Sequence, residues 1–350
     1  MSIARVFIGA GVCCLVFAGS AITANARAAD PWIVFDGKEG PGHGKQIVLL
    51  AGDEEYRSEE GLPQLAKILA KHHGFHCTVL FSINPKDGTI DPNEHRNIPG
   101  LEALQSADLL ILLTRFRDPP EDKMKYLADY IESGRPIIGL RTSTHAFDIP
   151  GNGPYAHYSW HSGEKGWDGG FGRHVLGETW VNHWGGHKSQ STRGIFAPGM
   201  ANHPILRGIK DGEIWAPTDV YEVRLPMPRL VKPLVLGQVL AGMKPTDPPF
   251  EGNHGDRKMN DPMMPIAWIK PYTGTSGKTA RNFCTTMGAS VDLENEALRR
   301  MLVNAAYWCT GLEDKIPEKA DVDLVGHYHP TMFGFNGFKK GVRPEDLIAD

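Results

Sequence analysis

Cysteine is scarce: the 350-residue chain has five, and two of them, Cys13 and Cys14, sit in its first stretch. The other three, Cys77, Cys284 and Cys309, lie in strand-like and helix-like contexts. An odd set so placed reads as buried thiols rather than a disulfide framework, with one bridge still open. Neither sign of charge dominates, with 37 Lys and Arg against 41 Asp and Glu. A mildly acidic chain has no general attraction for nucleic acid. There is no G-x-S-x-G nucleophile elbow, no dinucleotide fingerprint and no internal repeat. Gly277-Lys278-Thr279 resembles the end of a phosphate-binding loop, but Tyr272 stands where the loop needs Gly, so a hairpin is expected.

What is present begins with an address. Arg5 is a basic start, residues 6–18 are apolar, and Ala26-Arg27-Ala28 is an A-x-A cleavage signal, so residues 1–29 are expected to be a signal peptide. The apolar stretch is short and weakly flanked for a membrane anchor, and none is expected to survive cleavage. Export to the periplasm or the exterior follows. Removing Arg5 and Arg27 leaves 35 basic against 41 acidic side chains, a formal charge of −6.

Beyond the leader, 40 Gly and 26 Pro indicate a loop-rich protein. Residues 46–52 (QIVLLAG) read as a strand, residues 61–73 repeat apolar side chains at helical spacing up to Gly74, and 77–81 read as a second strand. Residues 109–113 form a third, 122–131 a helix after Pro119-Pro120, and 136–140 a fourth strand buried on both faces. This alternation predicts parallel βαβ units. Residues 148–215 break the pattern and are dense in Gly, His and Trp, with one strand-like run at 192–197. Sheet-like runs return at 233–240, 265–269 and 282–286, and an amphipathic helix at 295–309 closes the domain. Residues 312–350 are expected to pack on the surface as an extension.

Ligands in an open α/β sheet sit beyond the carboxyl ends of the strands. Arg141 and His145 follow the fourth strand, and Asp53 and Glu54 follow the first. The long insertion adds Trp160, Trp167, Glu178, Trp180, His183, Trp184 and His187, and Asp219 and Tyr221 come soon after. His183 and His187, four apart, could hold a divalent metal, although Gly185-Gly186 argues against a helix there. Without a metal, the Trp faces suit the C–H surface of a sugar, with Arg, His and carboxylates for its hydroxyls.

The order and spacing of several pieces resemble the ThuA-like (trehalose-utilisation) domain over about residues 45–311. They are residues 138–147, Gly170-Phe171-Gly172-Arg173-His174, His203-Pro204-Ile205, Asp219 with Tyr221, Pro265-Ile266-Ala267-Trp268, Thr285-Thr286-Met287-Gly288 and Asn304-Ala305-Ala306-Tyr307-Trp308. The resemblance implies a flavodoxin-like, class I glutamine amidotransferase-like fold: a mostly parallel sheet with helices on both faces and a long decorated insertion. Amidotransferases carry a nucleophilic Cys after the fourth strand, where this chain has Arg141, so glutamine hydrolysis by that route is excluded. Ala289 replaces a His that many relatives have. The implied function is carbohydrate utilisation, on a disaccharide, glycoside or keto-sugar, by acid/base chemistry with or without a metal. The expected roles are His145 or His183 as base, Arg141 as anion stabiliser and Asp219 as the orienting carboxylate. Asp53, Glu54, Trp160, Glu178, Trp184 and Tyr221 are expected to bind substrate. The alternatives are a non-catalytic carbohydrate-binding protein and a metal-dependent hydrolase for a non-sugar substrate.

Overall fold

The computed structural model describes Met1 and residues 30–348, so the leader expected at residues 1–29 lies, apart from Met1, outside the described residues. The first half of the chain runs β1 (Trp32–Asp36), β2 (Gln46–Gly52), α1 (Ser58–His73), β3 (His76–Phe81), β4 (Leu109–Thr114), α2 (Glu121–Glu132) and β5 (Ile137–Leu140). The second half runs β6 (Asn182–His183), β7 (Thr192–Phe196), β8 (Trp215–Ala216), β9 (Tyr221–Glu222) and β10 (Lys232–Val239). It continues through β11 (Asn253–His254), β12 (Arg257–Lys258), β13 (Met264–Thr273), β14 (Thr279–Thr285) and α3 (Glu296–Cys309).

Ten strands make one sheet in the order β1-β3-β2-β4-β5-β14-β13-β10-β7-β8. The central five, β3-β2-β4-β5-β14, are mutually parallel. Their spatial order is second, first, third, fourth, fifth, the flavodoxin-like winding. Every residue of β4 (LLILLT) and β5 (IIGL) is buried, as a strand covered on both faces requires. Right-handed crossovers put α1 on one face and α2 on the other, and α3 joins the α1 side through a short 3₁₀ turn that touches both. On one flank the sheet is extended by β13, β10, β7 and β8, all antiparallel, and on the other by β1, which begins ahead of Lys45.

Local chemistry sets the ends of these elements. Gly74 closes α1 with φ of 80°, a left-handed cap that a side chain would strain. Asn295 opens α3 by accepting from Leu298 N at 2.8 Å, a cap of about 1 kcal/mol. Gly139 lets the insertion press onto β5, since a Cβ there would come 2.5 Å from Leu176 Cδ1. Cys77, Cys284 and Cys309 are buried and free. Residues 274–278 form the β13–β14 hairpin loop. Among the described residues no helix is long and apolar enough to cross a membrane.

Candidate functional site

The winding reverses between β2 and β4, and the turns beyond β2, β4, β5 and β14 converge at that edge. The turn after β5 starts at Arg141, with φ of 42°. A non-glycine residue in this region costs about 1–3 kcal/mol and persists only where its surroundings impose it. Arg141 N donates to Met287 O at 3.0 Å and holds that backbone.

The guanidinium of Arg141 is fully buried. Nη1 donates to the carbonyl oxygens of Asp219 (2.6 Å) and Thr286 (2.8 Å), and Nη2 to Asp219 Oδ1 (2.9 Å) and Tyr56 Oη (3.1 Å). The rings of Tyr221 and Tyr56 lie 3.6 and 4.6 Å from its carbon. So enclosed, Arg141 cannot touch a substrate anion, the role expected of it from sequence. It braces Asp219 instead.

Asp219 is the centre of the arrangement. Burial would raise its pKa, but the Arg141 charge and hydrogen bonds from His183 and His187 outweigh burial and hold it below the usual carboxylate range. A charged carboxylate only accepts, so His183 Nδ1 donates to Oδ2 at 2.7 Å and His187 Nδ1 to Oδ1 at 3.1 Å. His183 Nε2 has no protein partner among the described residues, and the side chain keeps 35% of its exposure. His187 Nε2 lies 3.3 Å from Glu55 Oε1. Hydrogen bonds to Asp219 and Glu55 raise the His187 pKa to about 9 despite partial burial.

A narrow loop makes this meeting possible. β6 pairs with β9, His183 opposite Tyr221, and the Trp184 and Gly185 amides both donate to Val220 O. A Cβ on Gly185 would come 3.2 Å from Asp219 Cβ, so the Gly lets the loop lie on that segment. The histidines meet across a loop, as the Gly pair implied, and not on a helix.

Around this centre, ring contacts form a continuous wall. His187 and His183 are 4.8 Å apart by centroid, His183 and Trp180 6.1 Å, Trp180 and Trp160 6.1 Å, and Trp160 and Phe116 5.6 Å. The Arg115 guanidinium carbon lies 4.5 Å from the Phe116 ring. Buried His145, Tyr221 and Tyr56 form the floor. Burial, then the charges of Arg115, Arg141 and His183, push the His145 pKa well down, so its imidazole is neutral. Trp180 Nε1 is a buried donor with no partner among the described residues.

Other residues expected at the site are placed differently. Asp53 is fully buried and accepts from Glu55 N (2.7 Å), Tyr56 N and Thr142 Oγ1, which fastens the β2 turn to the Arg141 turn. Burial and neighbouring Glu54 raise the Asp53 pKa to about 6. Glu54 is spent on Arg117 (2.7 Å) and Arg115. Glu178 is buried between Arg173 and Arg224, and Trp184 Nε1 donates to Met259 O in the segment between β12 and β13. Trp167 packs on His157 and His174. A separate cleft of about 900 Å³ beside the start of α3 is lined by Lys210, Glu296, Arg300 and Lys319, shares no residue with the wall and offers no imidazole.

Sequence reading missed Glu55, Tyr56, Arg115 and Phe116. Their signal was available, since each lies within a few residues of a strand's carboxyl end.

Fold and site define a flavodoxin-like α/β protein with a histidine–carboxylate centre flanked by a run of aromatic rings. No family model matches the chain, and no curated protein does. Among solved structures it is similar to a protein of Bacteroides uniformis described as ThuA-like (15% identity, TM-score 0.46, 78% of this chain and 93% of that one). Another described as ThuA-like, from Parabacteroides merdae, has the same identity and TM-score over 83% of this chain and 97% of that one. A cold-adapted β-galactosidase of Rahnella is also similar (11%, TM-score 0.39), over 79% of this chain but 32% of that one. Likeness at this level says nothing of what the chain does.

The His187 arrangement has a measurable pH signature. Its folded pKa of about 9 lies above the ordinary 6.5. Its contribution to stability is therefore complete below about pH 6.5 and lost as pH rises through about 9. Urea unfolding between pH 6 and 10 should show that loss in the wild type and a flatter profile in His187→Gln over the same window.

Proposed function

We propose that the protein is an exported carbohydrate-directed enzyme working by general acid/base catalysis, with His183 as the proton-transferring group and Asp219 as its orienting carboxylate. The observation that carries this is the 2.7 Å His183–Asp219 bond, which engages Nδ1 of a side chain that stays 35% exposed and leaves Nε2 without a protein partner among the described residues. Asp219 is kept charged by Arg141 and so fixes the imidazole tautomer. Reaction types that need only an added or removed proton suit such a pair: hydrolysis of a glycoside, elimination beside a ketone, or isomerisation. One feature supports a sugar as the class of substrate: the partly exposed rings of Trp160, Trp180 and Phe116 offer flat apolar surface for the C–H face of a sugar. The export part of the reading rests on the N-terminal pattern alone.

A second reading has an observation of its own. His183, His187 and Asp219 each bring a ligand atom to within 4.8 Å of the others, a grouping that could hold a divalent metal. The charges favour the first reading. Asp219 and Glu55 are matched by Arg141 and a protonated His187, so a metal would displace that proton and sit against a guanidinium.

The test is to purify the protein without chelator, measure its metal content, and follow glycosides and keto-sugars for product with and without chelator. Turnover that survives chelation supports the acid/base pair. A stoichiometric metal with chelator-sensitive turnover overturns it in favour of the metal, and tight sugar binding with no product favours a binding protein.

A further inference from the structure

The wall described above has a gap between Arg115 and His187, and the C-terminal extension fills it. Phe333 is buried, with its ring 5.2 Å from His187 and 5.3 Å from Tyr56. Two residues on, Phe335 lies 5.1 Å from the Arg115 guanidinium carbon, so the Arg stands between the Phe116 and Phe335 rings. Gly334, with φ of 151°, separates buried Phe333 from the turn at Phe335–Asn336, where Phe335 is exposed.

This segment is firmly tied. Gly334 N donates to Glu55 O at 2.8 Å, and Arg57 Nη2 donates to Gly334 O. Thr331 N and Oγ1 donate to the two carboxylate oxygens of Glu60, both at 2.7 Å, and Tyr328 Oη donates to Ser290 O at 2.7 Å. A strap held this way has already lost its conformational freedom, so a ligand meeting it bears little ordering cost.

Resting on the carbohydrate reading above, we propose that this strap builds a second sugar subsite, in which the Phe335–Arg115–Phe116 stack receives the ring on the far side of the reacting bond. Along the ring contacts Phe335 is separated from His183 by Arg115, Phe116, Trp160 and Trp180 on one side and by Phe333 and His187 on the other. The proposed subsite therefore takes a ring other than the one at His183. Phe335 remains 55% exposed, a large apolar surface held at the rim with its guanidinium partner fixed by Glu54. The substrate class is therefore a disaccharide or a glycoside with a ring-bearing leaving group, and not a free monosaccharide.

Calorimetric titration of the full chain with methyl α-glucoside, trehalose and cellobiose tests this. The wild type should bind at least one two-ring sugar more tightly than the one-ring probe. Phe335→Ala should weaken two-ring binding roughly three- to tenfold, the size of one aromatic contact, leave the one-ring affinity unchanged, and be rescued by Phe335→Trp. Since Phe335 is exposed, an unchanged thermal midpoint is expected for both variants. Equal affinity for one- and two-ring sugars, or a Phe335→Ala protein that binds all three as the wild type does, overturns the subsite alone. Failure of the wild type to bind any sugar overturns the subsite and the carbohydrate reading together. Binding that follows the expected pattern without turnover leaves the subsite standing and removes only the catalytic reading.

Discussion

Replacing His183 by Asn is expected to lower turnover by about 10²–10⁴-fold while ligand affinity changes little. That range is the usual contribution of a positioned acid or base. The substitution removes the Nε2 that no protein group engages among the described residues and keeps a short polar side chain near Asp219. His183 is about one-third exposed, so the protein should stay folded and the loss should appear in kcat rather than KM. His145→Gln makes the informative comparison. His145 is buried on the floor as a neutral imidazole, with Thr144 Oγ1 3.2 Å from its Nδ1. If His183→Asn keeps turnover within threefold and His145→Gln abolishes it, proton transfer belongs to His145 and the dyad assignment is wrong.

The second large effect concerns stability. Arg141→Met should cost about 3–5 kcal/mol in urea unfolding at pH 7, because it leaves a buried carboxylate without its cation. Both partners of that pair have no exposed side-chain surface. Two carbonyl oxygens, Asp219 O and Thr286 O, would also lose their donor. Arg141→Lys should recover only part of the loss, since one ammonium cannot reach all the acceptors that the planar fork serves. Adding Asp219→Asn to Arg141→Met should cost much less than the two single losses together, as expected for groups that share one buried interaction. A loss below about 1 kcal/mol for Arg141→Met would show that the histidines alone suffice to hold the Asp219 charge.

The reading of the fold from sequence succeeded where burial is two-sided and local. β2 and β4 are short apolar runs, and the α1 and α3 patterns end on Gly74 and start from Asn295, which act on their own neighbours. It fell short where pairing is distant. β1 joins β3 by a register that no spacing in residues 32–36 announces. That Trp184 is buried and Trp160 only half-buried is likewise a matter of which element packs above them.

The site divides in the same way. Adjacency to strand ends pointed to Arg141, His145, Asp53 and Glu54, and the density of His and Trp pointed to His183 and His187. Their roles could not be assigned, because a side chain's function depends on what occupies its hydrogen bonds. Asp53 and Glu54 turned out to be consumed by backbone amides and arginines, and Arg141 by Asp219 and two carbonyls. Phe333 and Phe335 lie in an extension with no regular pattern, so nothing local marks them.

The sequence by itself determined the strand–helix alternation of a parallel α/β sheet, the edge at which chemistry is expected and the buried state of the three cysteines. These follow from periodicity, chain connectivity and the identity of single residues. Only the tertiary structure decided that Asp219 gathers two histidines, that Arg141 braces rather than binds, and that Phe333 and Phe335 pack beside His187 and Arg115. Each of those outcomes rests on groups far apart in sequence competing for the same few buried hydrogen bonds, and that competition is resolved only when the chain is folded.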